Sequence, residues 1–261
     1  MTLDSHTHAW GAPSEAHPWV NGPLVETHLD GFTVDTAYTA EKLLADMDAT
    51  GIEEAVVVGY PVVEWTDNWY TERAAADSDR LYGIVILDQF ADGAADALRE
   101  AMSVDGVLGF RLGAACPYDR MWETFDPSTT WLRDAIQEAA FWDAAGAIDA
   151  TVQILAHHEQ LDQVADLVET RPGLTYLLDH FSHAGPDTEP GEVYADLEPL
   201  ADHEGFLDFP IGPGQRYVAW TVFTVPEGTT GTLIYDQSAT NATVAVEFER
   251  SSTLPAEVTE R

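Results

Sequence analysis

The chain has 261 residues, of which 45% are hydrophobic and 10% aromatic, so it can bury a substantial core and is not a disordered protein. Its 46 acidic residues outnumber 11 basic residues, which gives a formal net charge of −35. A negative field of this size argues against nucleic acids and anionic membranes as partners.

The acidic residues are spread along the whole chain rather than gathered in one tail. A dispersed acidic coat over an ordinary hydrophobic content is typical of globular proteins that work in brine. At 1 M salt the Debye length is about 3 Å, so self-repulsion is screened. We therefore predict a halophilic protein. The N-terminus resembles no secretory leader, and the sequence has no long apolar run, which favours a cytoplasmic location.

Residues 1 to about 200 alternate short apolar runs with longer helical stretches, which predicts six βα units and a parallel sheet. Strands are predicted at residues 3–8, 52–60, 80–88, 107–112, 151–156 and 174–180. Helices are predicted at residues 39–50, 69–79, 93–102, 130–145, 161–170 and 192–203. An open doubly wound sheet and a barrel both fit this α/β pattern. The lack of a Gly-x-Gly-x-x-Gly after a strand argues against dinucleotide binding.

The pattern changes near residue 205. Residues 217–225, 232–235 and 243–248 alternate between apolar and polar side chains and are separated by turn residues, which predicts an antiparallel β meander. We therefore divide the chain into a barrel-like unit at residues 1–204, a β meander at 205–250 and a flexible tail at 251–261.

His6 and His8 stand two residues apart on the first predicted strand, so both imidazoles leave the same face. In a barrel this face is the interior, and barrel active sites lie where the strands end. Two imidazoles at that place supply two of the ligands that a divalent metal needs. The motif is short and occurs by chance, so the spacing alone leaves a structural role open.

Three segments together resemble a known family. The opening Leu-Asp-Ser-His-Thr-His-Ala-Trp at residues 3–10 resembles the first strand of the amidohydrolase superfamily. The likeness is strongest to the amidohydrolase-related group, which includes pyrone-dicarboxylate lactonase and aminocarboxymuconate-semialdehyde decarboxylase. Gly-Phe-Arg-Leu at 109–112 resembles the fourth strand of that group, and residues 172–180, which end in Asp-His, resemble the sixth. The resemblance covers residues 1–204.

The resemblance implies a (β/α)8-type barrel, here shortened to about six βα units, and it implies roles for particular residues. His6 and His8 would be ligands of a divalent metal, zinc or a similar ion, although lactonase-like members manage without one. His180 would be catalytic, holding the metal or polarising the substrate or water, and Arg111 would bind a substrate carboxylate. His157 is the candidate for a further ligand from the fifth strand, but a loop position is equally open. A structural ion pair and a core histidine are the alternatives for Arg111 and His180.

The implied activity is hydrolysis of a lactone, an amide or a related carbonyl in a small, anionic substrate, and oligomerisation stays open. The family should continue with a seventh strand and an eighth that ends in a Gly-Ser-Asp-like segment. No such segment follows residue 204. Residues 212–228 instead resemble the C-terminal half of a small immunoglobulin-like domain. Two alternatives therefore stand beside the hydrolase: a catalytically inactive fusion or truncated product, and a decarboxylase of the same superfamily.

Overall fold

The computed structural model describes residues 2–29, 37–118, 126–183, 230–237 and 242–249. Six parallel strands pair in chain order and form a curled half-barrel accompanied by helices, which confirms the predicted fold class. The strands are β1 (Leu3–Thr7), β2 (Glu54–Val58), β3 (Leu81–Ile86), β4 (Val107–Leu112), β5 (Thr151–Ile154) and β6 (Thr175–Leu178). The helices are α1 (Gly22–Leu29), α2 (Ala40–Thr50), α3 (Trp69–Ala76), α4 (Ala94–Ala101), α5 (Trp131–Ala135), α6 (Ala139–Ala147) and α7 (Leu161–Thr170).

The single helix predicted at residues 130–145 is wrong, because the structure has two helices there, α5 and α6. The indole Nε1–H of the buried Trp142 donates to the carbonyl oxygen of Ala135 at 2.7 Å. This bond satisfies a carbonyl that a continuous helix would use for its own ladder. The chain turns at this point, and Trp142 enters the core beside Phe110 and Phe141.

The largest core cluster joins the outer face of the sheet to the helices that cover it. Phe110 of β4 and Val152 of β5 are fully buried against Leu132, Trp142 and Leu161. Alternation along the strands sends the remaining side chains to the inner face of the half-barrel. There the sheet carries a small apolar cluster at Val56, Val58 and Ile84 on β2 and β3.

β4 and β5 approach closely because β4 has a glycine on its inner face. Gly109 pairs with Thr151, and a Cβ at Gly109 would lie 1.9 Å from the carbonyl oxygen of Thr151. In the same ladder Arg111 pairs with Gln153, so their side chains share the inner face. Both side chains are buried. The register of β4 and β5 thus places two polar groups inside the half-barrel.

β7 (Thr230–Gln237) and β8 (Ala242–Glu249) form a separate antiparallel pair, which agrees with the strands predicted at residues 232–235 and 243–248. The strand predicted at 217–225 and the helix predicted at 192–203 lie outside the described residues. In the six-stranded sheet β1 and β6 are the two outer strands. Within the described ranges, no helix has the length and apolar character that crossing a membrane requires.

Candidate active site

Polar side chains gather where four of the six parallel strands end. His6 lies on β1, Arg111 on β4 and Gln153 on β5, while Asp179 and His180 follow directly after β6. The carboxyl ends of parallel strands meet at one edge of a sheet, so residues that are up to 174 positions apart become neighbours.

A group of three potential metal ligands forms the centre of this site. The ligand atoms of His6, Asp179 and His180 all lie within 4.8 Å of one another. The ring centroids of His6 and His180 are 4.7 Å apart, and the ring of His8 follows at 5.1 Å from that of His6. Of the predicted ligands, His8 adjoins the group and His157 lies outside it.

Arg111 and Asp179 form a buried ion pair beside the imidazoles. The Nε and Nη2 atoms of Arg111 lie 2.8 Å and 2.6 Å from Oδ2 of Asp179. Burial on its own would raise the pKa of Asp179, but the guanidinium of Arg111 and the ring of His6 bring that pKa well below its ordinary value. The carboxylate is therefore ionised at neutral pH. The structure places the predicted anion-binding arginine inside the site and gives it an acidic partner.

His6 lies between Gln153 and Asp179. Its Nδ1 is 3.0 Å from Nε2 of Gln153 and 3.4 Å from Oδ1 of Asp179. Two buried atoms here, Nε2 of His6 and Oε1 of Gln153, have no hydrogen-bond partner among the described residues. The oxygen and nitrogen of a glutamine amide are exchangeable by a flip. With the amide turned, Oε1 accepts from Nδ1–H of His6 and the lone pair of His6 Nε2 is free for a ligand.

The tautomer of His8 follows from its contact with β2. Its Nδ1 lies 2.7 Å from the carbonyl oxygen of Val58, which can only accept, so Nδ1 carries the hydrogen. The lone pair is then on Nε2, the arrangement that metal-binding histidines use. Burial, followed by the nearby His6 and Arg111, lowers the pKa of His8 well below its ordinary value. The ring is neutral at pH 7 and stacks on Tyr60.

His180 lies just after the end of β6 and has an unusual backbone conformation, with φ at 47°. His180 is an exposed residue, and partial loss of solvent and then the neighbouring His6 lower its pKa to about 4, although Asp179 acts in the opposite direction. A neutral imidazole at pH 7 can bind a cation or accept a proton.

His157 has a local structural role in the loop after β5. It caps the short 3-10 helix His158–Gln160: its ring accepts from the amide of Glu159 at 3.4 Å, and its own amide donates to the side chain of Gln160 at 3.0 Å. Its ring lies near those of His158 and His183, with centroid distances of 4.0 Å and 6.4 Å. The structure therefore places His157 in the loop position that the sequence left open.

Two residues of the site were not singled out from the sequence. Asp179 lies inside the Asp-His motif, where only the histidine received a role, and Gln153 lies on the fifth strand. The alternation of side chains along a strand offers a signal for Gln153, because Gln153 pairs with Arg111 and so faces the same side of the sheet. This signal depends on the register between the two strands, which cannot be derived from the sequence.

The donor set fits a divalent metal. Imidazole nitrogens and a carboxylate are the ligands that zinc takes in catalytic sites. The partnerless Nε2 of His6 supports this fit, since a buried polar atom ordinarily has a partner.

Comparison with known proteins identifies a family and a fold. A family model for amidohydrolases matches residues 3–212. A zinc-bound amidohydrolase from Burkholderia multivorans shows 20% identity and a TM-score of 0.59, covering 79% of this chain and 68% of its own. A probable 2-pyrone-4,6-dicarboxylic acid hydrolase from Acinetobacter baumannii, solved with citric acid, shows 17% identity and a TM-score of 0.54, covering 76% and 66%.

A third similar structure is amidohydrolase 2 from Bifidobacterium longum subsp. infantis, with 18% identity, a TM-score of 0.51 and coverage of 81% of this chain and 75% of its own. At these identities the likeness establishes the fold. The matched part corresponds to about two thirds of the length of the Acinetobacter protein. No curated protein matches the sequence significantly.

Proposed function

The chain belongs to the amidohydrolase family, whose model matches residues 3–212, and we propose that it is a hydrolase for a lactone, an amide or a related carbonyl in a small anionic substrate. The observation that carries this proposal is the meeting of His6, His180 and the buried Arg111–Asp179 pair at the carboxyl ends of the strands. Active sites of barrel enzymes lie at this end of the sheet.

A divalent cation such as zinc would be held by His6 and His8. The proposal is supported by the neutral state of the His8 ring and by the partnerless Nε2 of His6. The contact from His8 Nδ1 to the carbonyl of Val58 orients that ring in advance. When bound, such a cation polarises a carbonyl and lowers the pKa of a bound water.

Arg111 gives the site its preference for an anion. Its side chain is 5% exposed and lies on the inner face of the sheet, where a planar guanidinium suits a carboxylate. Because Nε and Nη2 of Arg111 face Asp179, a substrate carboxylate would bind the guanidinium hydrogens that point away from this pair. The Acinetobacter protein of the same fold is named for a dicarboxylic acid, and a substrate of that kind would suit Arg111.

His180 is the group we assign to proton transfer. It adjoins His6 at the end of β6, and its pKa of about 4 keeps it neutral at pH 7. A neutral imidazole can take a proton from an attacking water and return it to a leaving group.

The test is a metal and activity assay on protein purified in molar KCl, with a panel of carboxylated lactones and amides. We expect about one metal ion per chain and measurable hydrolysis in the wild type. The His6→Ala, His8→Ala double variant should lose both. The matched control is His17→Ala, since His17 is paired with Asp67 and is not a member of the group formed by His6, Asp179 and His180. A metal content below about 0.1 per chain, with equal activity in the double variant, would remove the metal hydrolase.

A second candidate function is an inactive product, and the sheet itself favours it. Within the sheet that the described residues form, β1 and β6 are outer strands, whereas a complete barrel has none. Folded protein that binds the cation but hydrolyses no member of the panel would favour this candidate over the enzyme.

A further inference from the structure

We infer that Asp179 is the carboxylate ligand of the cation site, and that its bond to Arg111 holds it in that role. The inference rests on the proposed function, because it concerns the same cation. In this structure the carboxylate beside the histidines comes from the Asp-His motif at the end of the sixth strand. Asp179 was absent from the roles that the sequence suggested.

The two oxygens of Asp179 have different neighbours. Oδ2 receives both contacts from Arg111, at 2.8 Å and 2.6 Å. Oδ1 is turned towards the histidines and lies 3.4 Å from Nδ1 of His6. One oxygen is thus held by Arg111, while the other lies on the side of His6, and a ligand atom of Asp179 lies within 4.8 Å of those of both His6 and His180.

Charge balance gives a second reason. A divalent cation among the imidazoles would be repelled by the guanidinium of Arg111, which is as deeply buried as Asp179. Asp179 contacts Arg111 and lies 3.4 Å from His6, so its single negative charge lies between the two positive groups and reduces their repulsion. Neutral imidazoles alone would leave two buried positive groups uncompensated.

A purely structural ion pair would explain less. Buried pairs are weak contributors to stability, because the cost of desolvating both charges offsets their attraction. Such a pair also does not need to lie beside His6 and His180. A ligand role explains both why the Asp179 carboxylate lies beside His6 and His180 and why it is paired with Arg111.

The two roles predict different results for two charge-removing variants. Asp179→Asn removes the ligand, and Arg111→Gln removes the anchor but keeps the ligand. We would measure zinc affinity by competition with a chromophoric chelator, in molar KCl, together with the visible spectrum of bound cobalt. We expect Asp179→Asn to weaken binding by more than about 100-fold and to change the cobalt spectrum, since loss of a supporting residue alone costs about 10–100-fold. Arg111→Gln should change affinity by less than about tenfold, because it also removes a repelling charge.

The Arg111→Gln, Asp179→Asn double variant keeps the test valid if the single asparagine variant does not fold, because it leaves no unpaired buried charge. Compared with Arg111→Gln, the double variant should still bind zinc more than about 100-fold more weakly. Equal losses in the two single variants, or unchanged binding in the double variant, would overturn the ligand role while leaving the hydrolase proposal intact. A wild type that binds no zinc or cobalt would overturn both the ligand role and the metal-dependent form of the proposed hydrolase.

Discussion

Asn68 shows how a single side chain holds a strand end beside the candidate site. It is buried and has a positive φ of 53°. Its amide donates to the carbonyl of Ile86 at 2.7 Å and accepts from the amide of Ile86 at 2.8 Å. Ile86 is the last residue of β3 and pairs with Arg111 on β4. The asparagine side chain therefore pairs with the backbone of Ile86 as a neighbouring strand would, next to the strand that carries Arg111.

We predict that Asn68→Ala lowers the free energy of unfolding by about 3 kcal/mol, because it leaves a buried donor and a buried acceptor without partners. Asn68→Gly also loses the bonds but tolerates the positive φ, so it should lose slightly less. Urea unfolding in molar KCl measures both losses. A value for Asn68→Ala within about 0.5 kcal/mol of the wild type would show that the bonds to Ile86 do not support the fold.

The histidines of the site predict a pH dependence of stability. The folded protein holds the pKa of His8 well below its ordinary value and that of His180 at about 4. Between about pH 4 and 6.5 the unfolded chain therefore binds more protons at these positions than the folded chain does. Their neutral form favours folding above pH 6.5, and this advantage is lost as the pH falls towards 4.

We expect His180→Gln to weaken this dependence. Between pH 7.5 and pH 5.0 in molar KCl, the variant should lose less unfolding free energy than the wild type, because glutamine does not titrate. The comparison between the two proteins matters, since acid also neutralises repelling carboxylates in both. Parallel pH profiles would contradict the lowered pKa of His180.

At the scale of elements, several segments could be predicted from periodicity. β4 (Val107–Leu112) and α7 (Leu161–Thr170) have the predicted bounds. The break between α5 and α6 could not be read from the sequence, because it depends on the tertiary contact between Trp142 and Ala135. Helix α1 was not predicted, although Asn21 and Pro23 are start signals: the Asn21 side chain accepts from the amide of Leu24 at 3.2 Å.

Part of the candidate site was predictable, because some of its residues lie in local sequence patterns. The spacing of His6 and His8 depends on one strand alone, and the Asp-His motif marks the end of another. Gln153 and the pair between Arg111 and Asp179 depend on register and on the curl of the sheet across β4, β5 and β6. Long-range pairing of this kind is not encoded in any local pattern, so these contacts appear only in the folded structure.

Two glycines allow a matched test of how β4 and β5 fit together. Gly109→Ala would place a Cβ 1.9 Å from the carbonyl oxygen of Thr151, a backbone atom that cannot move without breaking the ladder. We expect a loss of at least about 3 kcal/mol in unfolding free energy. Gly146→Ala in α6 meets nothing closer than 4.0 Å, so it should gain about 0.5–1 kcal/mol from helix propensity. Equal stability of the two variants would contradict the close approach at Gly109.

At the scale of the whole molecule, charge dominates. Among the described residues the surface arginines pair with aspartates, and Arg133 contacts both Asp162 and Asp166. Exposed pairs of this kind are worth at most about 1 kcal/mol each. With 46 acidic and 11 basic residues, most carboxylates have no basic residue to pair with. Repulsion among them opposes the compact state more than the few pairs support it.

Salt should therefore stabilise this protein, although it weakens individual surface pairs. Raising KCl from 0.1 M to 2 M shortens the Debye length from about 10 Å to less than 3 Å, which screens repulsion between neighbouring carboxylates. We expect the thermal midpoint followed by circular dichroism to rise by at least about 5 °C, equivalent to about 2 kcal/mol for a domain of this size. Sucrose is the control, because it favours compact states without screening charge. If KCl raises the midpoint no more than sucrose does, or if the spectrum is unchanged on dialysis into dilute buffer, repulsion does not limit folding and the halophilic interpretation of the acidic surface is wrong.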